Sequence, residues 1–167
     1  MSFRKIEPAE INRDPFTLFG KDWLLLTAEA DGVANPMTVG WGGLGVMWGK
    51  NVVFAVVRPE RYTHELLDKT DVFSLVATRD RGVLGYCGKT SGRDGDKVKS
   101  QGLTLLHEDG APYFEEAELV ICCKKLYADD FSEEKFTDGG ELAKKWYGGG
   151  YHTLYIAEIV SVLVKED

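Results

Sequence analysis

The chain has 167 residues, with 20 Lys and Arg against 27 Asp and Glu, giving a formal charge of −7 and a pI near 5.0. That balance excludes general nucleic-acid binding, which needs a basic surface to displace counterions. A composition of 44% hydrophobic and 28% charged residues excludes a disordered tail; one domain over 1–167 with its own core is expected.

In chain order, the opening MSFRKIEPAE has no apolar stretch of the kind a secretory leader needs. Trp23–Ala30 reads as a strand, followed by Asp31-Gly32 and a second strand, Val33–Val39; an Asp-Gly between two apolar runs is the strongest short hairpin signal. Gly40-Trp41-Gly42-Gly43-Leu44-Gly45 matches GxGxxG. The dinucleotide fingerprint, however, must open a helix, and here VMWGKNVVFAVV continues as strand, so a glycine-rich bend is expected instead. Further strands are expected at Asn51–Val57, Val72–Ala77, Ala117–Leu126 and His152–Val164. They are nearly continuous in Val, Ile and aromatics, which predicts cover on both faces.

Helical signals are fewer. Thr63–Lys69 predicts a helix with Thr63 as cap and a Glu65/Lys69 pair at i,i+4. Arg81–Gly88, Asp96–Gln101 and Glu141–Trp146 are short candidates. Long strands with few helices between them favour a closed, mainly antiparallel β-barrel with peripheral helices over a doubly wound sheet. The late run IAEIVSVLV is too short, and carries Glu158, so no membrane span is expected.

Cys87, Cys122 and Cys123 are odd in number, and the adjacent pair should point to opposite faces of a strand. Reduced thiols in a cytoplasmic protein follow, and with no CxxC or Cys/His ladder no zinc site is expected. Cys87 is read as a small buried hydrophobe ahead of a redox thiol. His64 is read as a surface or packing residue of its helix, and His107 as exposed in a turn.

Charge is unevenly distributed. Residues 79–99 carry six basic and three acidic residues, whereas 108–141 carry eleven acids and three lysines. A local basic stretch in an acidic protein suits a small anion. GKTSGRDGDK (88–97) offers backbone N–H groups and hydroxyls for a phosphate, or is a solvated polar loop. RPERYT (58–63) offers two arginines at a helix start, or is a surface turn. NPMTVGWG (35–42) offers hydrogen bonds for a heterocycle's edge and Met37 and Trp41 for its face, or is a strand end with buried aromatics.

Together these segments, with YHTLYIAEI (151–159), follow the order and spacing of the flavin reductase-like, or flavoredoxin, family, which the chain resembles from about Trp23 to Glu158. The resemblance implies a Greek-key FMN-binding split barrel, a homodimer, and one FMN per subunit near the interface. It places Asn35, Met37, Thr38 and Trp41 at the isoalloxazine. Arg58, Arg61, Tyr62 and Thr63 fall at the ribityl chain and phosphate. Cys87, Gly88, Lys89, Ser91 and Lys97 fall in the Cys-Gly…Ser-Gly-Arg-Asp stretch, with Lys97 the preferred phosphate cation. His152 falls at a flavin-contacting histidine, where a protonated imidazole would favour reduced flavin. Residues 131–150 match nothing in the family and read as a variable lid. Three roles stay open: an NAD(P)H-dependent flavin reductase using NADH or NADPH, an electron carrier without a nicotinamide site, and a non-catalytic barrel for a phosphate-bearing ring.

Overall fold

A computed structural model describes residues 2–166. Strand β1 (Phe3–Ile6) is followed by a turn at Pro8–Glu10, by α1 (Pro15–Thr17), and by a wide helical turn at Leu18–Asp22. Strands β2 (Leu24–Ala30), β3 (Val33–Val39), β4 (Gly42–Met47) and β5 (Lys50–Val57) lead into α2 (Tyr62–Leu67). Then come β6 (Val72–Ala77), α3 (Arg81–Lys89), α4 (Lys97–Ser100), β7 (Leu105–Glu108) and β8 (Ala111–Phe114). The chain closes with β9 (Leu119–Asp130), a turn at Glu133–Lys135, α5 (Glu141–Trp146) and β10 (Thr153–Lys165). Among the described residues no helix is long and apolar enough to cross a membrane.

The main sheet runs β3-β2-β6-β9-β10-β5-β4, with β1 also on β10, and every pairing is antiparallel. Its two end strands, β3 and β4, are consecutive in the chain and joined only by Gly40 and Trp41. So short a link brings the ends of the strip together, and the sheet must curl into a barrel. No ladder joins β3 to β4, and that seam is the split. Glycine is needed there: a Cβ on Gly42 would lie 2.3 Å from the Phe54 carbonyl oxygen, and one on Gly40 would lie 2.9 Å from the Trp23 ring. The GxGxxG segment is therefore seam and strand, not a nucleotide loop.

Three hairpins turn on residue pairs with positive φ: Asp31-Gly32, Trp48-Gly49 and Asp109-Gly110. Two successive left-handed residues match the twist of the flanking strands. The last of these joins β7 to β8, a hairpin the strand reading above passes over although it carries the same Asp-Gly signal.

Two cores explain the continuous apolar runs. Leu24, Leu26, Met37, Phe73, Leu75, Ile121 and Cys123 fill the barrel. Their neighbours Leu25, Val76, Val120 and Cys122 face outward into a second layer, under Val83, Leu84 and Phe114 from α3 and β8. The adjacent cysteines thus point to opposite faces, and all three thiols are free and buried.

Two helix expectations need correction. Arg61, not Thr63, is the N-cap of α2; the Thr63 hydroxyl is buried and accepts from Asn35 Nδ2 at 2.8 Å. The Glu65/Lys69 pair does not form, because tertiary partners claim both: Glu65 pairs with Arg93 and Lys69 with Asp31.

Candidate functional site

The split brings together segments far apart in sequence. β3 supplies Asn35, Met37 and Thr38, the seam supplies Trp41, and the exit from β5 supplies Arg58 and Arg61. The loop between α3 and α4 adds Lys89 and Ser91, while His152 stands just before β10. Met37, Thr38, Val39, Trp41, Val56, Arg58, Arg61, Trp146 and His152 line a hollow of about 280 Å³. Arg61 also lines a second hollow of about 120 Å³, shared with Asn35, Glu60, Tyr62, Lys89, Thr90, Ser91, Gly92 and Lys97. One hollow is aromatic and apolar with two cations at its edge; the other is small and rich in cations and hydroxyls.

The second hollow is built on buried positive charge. Arg61 donates to the Gly88 and Cys87 carbonyls at 2.8 and 3.0 Å. Lys97, only 2% exposed, donates to the Pro36 carbonyl at 2.9 Å and to the same Cys87 carbonyl at 3.0 Å. Two cations thus share one carbonyl at the end of α3. Burial, with the Arg61 charge beside it, pulls Lys97 down to about 8, partly opposed by Cys87, and burial lowers Arg61 also. Carbonyl dipoles offset this charge only in part, so an anion placed here would be stabilised. Gly92 makes the close approach that forms the hollow: a Cβ on it would fall 2.1 Å from Asn35 Oδ1 and 2.5 Å from the Tyr62 ring.

Most of the predicted residues come together, with some roles exchanged. Asn35 stands at the basic hollow, its amide held by Thr63, and not at the aromatic one. Thr63 lies beneath it, buried. Arg58 lines the aromatic hollow, donating to the Trp146 carbonyl at 2.9 Å with its guanidinium 5.0 Å from the Tyr147 ring centre. Thr38 donates its hydroxyl to the Leu84 carbonyl, and Gly88 packs against the Thr38 side chain. Cys87 and Gly88 contribute carbonyls to the cations. Burial raises the Cys87 thiol, with Lys97 and Arg61 opposing, so the thiol form dominates at neutral pH.

His152 is not a cation at neutral pH. Burial, and then the Arg58 charge, push it down to about 4, with Glu60 opposing; Nδ1 lies 2.6 Å from the Tyr147 hydroxyl oxygen. Positive charge at this hollow comes from Arg58 and Arg61. His64, with Nε2 2.8 Å from Thr153 Oγ1, is a packing residue as expected, and half-exposed His107 pairs with Glu29.

Trp146 escapes the sequence reading as a site residue, because no motif of the resemblance falls in its segment. Its ring meets Trp41 edge-on at 5.0 Å between centres, and its signal in the sequence was an aromatic closing a short helix. A larger hollow of about 600 Å³ between the chain ends contains none of the predicted residues. Its Arg13 and Arg79 are engaged by Glu118.

The model of the flavin reductase-like domain matches residues 17–167. The chain belongs to the flavin reductase-like family. Similar solved structures include a flavoredoxin from Methanosarcina acetivorans, at 23% identity and TM-score 0.69 over 96% of this chain and 77% of that one. An FMN-binding domain of a flavin reductases-like enzyme from Shewanella baltica has 16% identity and TM-score 0.70 over 98% and 77%. An NADH:FAD oxidoreductase from Streptomyces globisporus, in complex with NAD and FAD fragments, has 15% identity and TM-score 0.62 over 86% and 74%. No curated protein matches the chain. At these identities the neighbours share the flavin reductase-like fold; what the site holds rests on its own residues.

Proposed function

We propose that this chain binds FMN non-covalently and works as an NAD(P)H-dependent flavin oxidoreductase. The observation that carries this is Arg61: one residue lines both an aromatic-walled hollow and a small basic one. That adjacency suits a ring joined to a phosphate. Lys97, Arg61, Lys89, Ser91 and Thr90 would hold the phosphate, and Met37, Val56 and Trp41 would pack on the ring. The absence of a Cβ at Gly92 gives the cradle its depth. Binding between micromolar and nanomolar needs about −8 to −12 kcal/mol. Charge-assisted hydrogen bonds at about 1.5–3 kcal/mol each, with ring burial, reach that range.

When bound, the flavin supplies hydride and electron transfer. The residues' part is to orient it, exclude water at the Trp41–Trp146 edge, and place Arg58 and Arg61 where negative charge is favoured. Neutral His152, fixed against Tyr147, offers hydrogen bonding without a proton change near pH 7.

The decisive experiment is an absorbance scan and FMN titration, then anaerobic stopped-flow mixing with NADH and with NADPH. Yellow protein bleached within seconds supports the proposal. Yellow protein that resists both nucleotides makes it an electron carrier, and failure to gain flavin absorbance rejects the cofactor site itself.

A further inference from the structure

Helix α5 reaches the aromatic hollow with little of its own to hold it there. Of its six residues Ala143 alone is buried, and so short a helix is not stable without tertiary contacts. Its last residue, Trp146, lines the hollow and meets Trp41 edge-on. Trp41 is 44% exposed and Trp146 46%. The two indoles therefore stand between the hollow and solvent, at its mouth.

Two glycine pairs bracket this helix. Gly139 and Gly140 precede it with φ of 75° and 82°, and Gly149 and Gly150 follow it with φ of 106° and 64°. Close packing does not account for three of them, because a Cβ on Gly139, Gly140 or Gly149 would meet nothing within 4 Å. What they contribute is backbone freedom at both ends of one short piece, the arrangement of a hinged segment.

Few contacts fasten that piece to the barrel. Arg58, at the exit of β5, donates to the Trp146 carbonyl at 2.9 Å and sets its guanidinium carbon 5.0 Å from the Tyr147 ring centre. The Tyr147 hydroxyl lies 2.6 Å from His152 Nδ1. Arg58 thus grips both residues at the end of α5 while lining the hollow that α5 covers. Its partners are a carbonyl and a ring rather than a carboxylate, which holds the end of the helix without locking it.

We infer that α5 is a lid on the aromatic hollow and Arg58 its latch: a flat ring enters and leaves when Arg58 releases the Trp146 carbonyl and Trp146 swings off Trp41. The inference rests on the flavin-site proposal and adds a gate to it. Lids of this kind move in microseconds to milliseconds, and a site that is open for only a fraction of the time binds in proportion to that fraction.

Stopped-flow mixing of the purified full chain with FMN, followed by flavin fluorescence, gives association and dissociation rate constants for the wild type, Trp146→Ala and Arg58→Met. Trp146→Ala should raise both constants by about threefold to tenfold, the signature of a removed gate. Arg58→Met should raise the association constant about threefold or more by unlatching the lid, although loss of a cation by itself slows the approach of an anion. Retained FMN binding shows that each variant is folded. Faster dissociation with unchanged association in both variants makes α5 a fixed wall that only touches the ring, and slower association in Arg58→Met makes Arg58 a steering charge. Either result overturns the inference and leaves the flavin site standing. A rise in association confined to Trp146→Ala overturns Arg58 as the latch. Failure of the wild type to bind FMN overturns the function on which the inference depends.

Discussion

Lys97 joins the structure and the chemistry of the site at a single atom. Its ammonium closes the gap between β3 and α3 by donating to the Pro36 and Cys87 carbonyls, and it still faces the basic hollow. Burial favours the neutral amine, which is why the group titrates near 8 and not near 10.5. Below pH 8 the ammonium is present and an anion is favoured; above it the charge is lost, so FMN affinity should fall as pH rises from 8. A bound phosphate stabilises the ammonium and extends that fall upward in pH. Lys97→Met keeps much of the side chain's bulk and removes the charge. It should weaken FMN binding about tenfold to a hundredfold at pH 7, the cost of a lost charge-assisted contact, and flatten the dependence between pH 7 and 9.5. Fluorescence titration across that range, beside thermal melts, measures both effects; an equally steep pH profile in the variant would remove Lys97 from the anion's surroundings.

At the scale of the element, α3 matters most, because its last turn presents the carbonyls that Arg61 and Lys97 grip. Its first turn is held by Asp80, whose carboxylate accepts from the Gly82 and Val83 N–H groups at 2.9 and 3.0 Å. Asp80→Ala should cost about 1 kcal/mol, a fall of roughly 2–4 °C in melting temperature for a chain of this size. An unchanged melting curve would mean that packing of Val83, Leu84 and Cys87 holds the helix without its cap. The same elements show what could be read in advance. The Asp31-Gly32 hairpin, the two-faced strands and α5 were legible because their causes are local: turn φ angles, continuous apolar runs and short-range periodicity. Thr63 misled because its hydroxyl is claimed by Asn35, 28 residues away. The site was half legible for the same reason. Motif order named Arg61 and Lys97, but only the folded chain shows that they share the Cys87 carbonyl. Asn35's place at the basic end, and Trp146's at the aromatic one, depend on how the curl of the sheet closes.

For the molecule as a whole, the distribution of cover is lopsided. Helices α2, α3 and α4 pack against β2 and β3, on the other side of the barrel from the row that crosses β4, β5, β10 and β9. Strand register puts Gly43 beside Phe54, Phe54 beside Ile156 and Ile156 beside Tyr127 in that row. Trp48 reaches over from the β4–β5 turn to within 6.4 Å of the Tyr127 ring centre. Trp48 is 58% exposed and Tyr127 45%, an apolar area of the kind that proteins usually cover with a partner. We propose that a second copy of this chain covers it, which would place the interface beside the Trp41 end of the aromatic hollow. A two-fold contact uses the same patch twice, so one change acts on both sides of it. Trp48→Glu with Tyr127→Glu introduces four buried charges into such a dimer while altering only exposed positions in the monomer. Sedimentation should give the wild type twice the chain mass of 18.6 kDa and the double variant that mass alone, with both still folded. A wild-type monomer would end the proposal, and a double variant that stays dimeric would move the interface to another face.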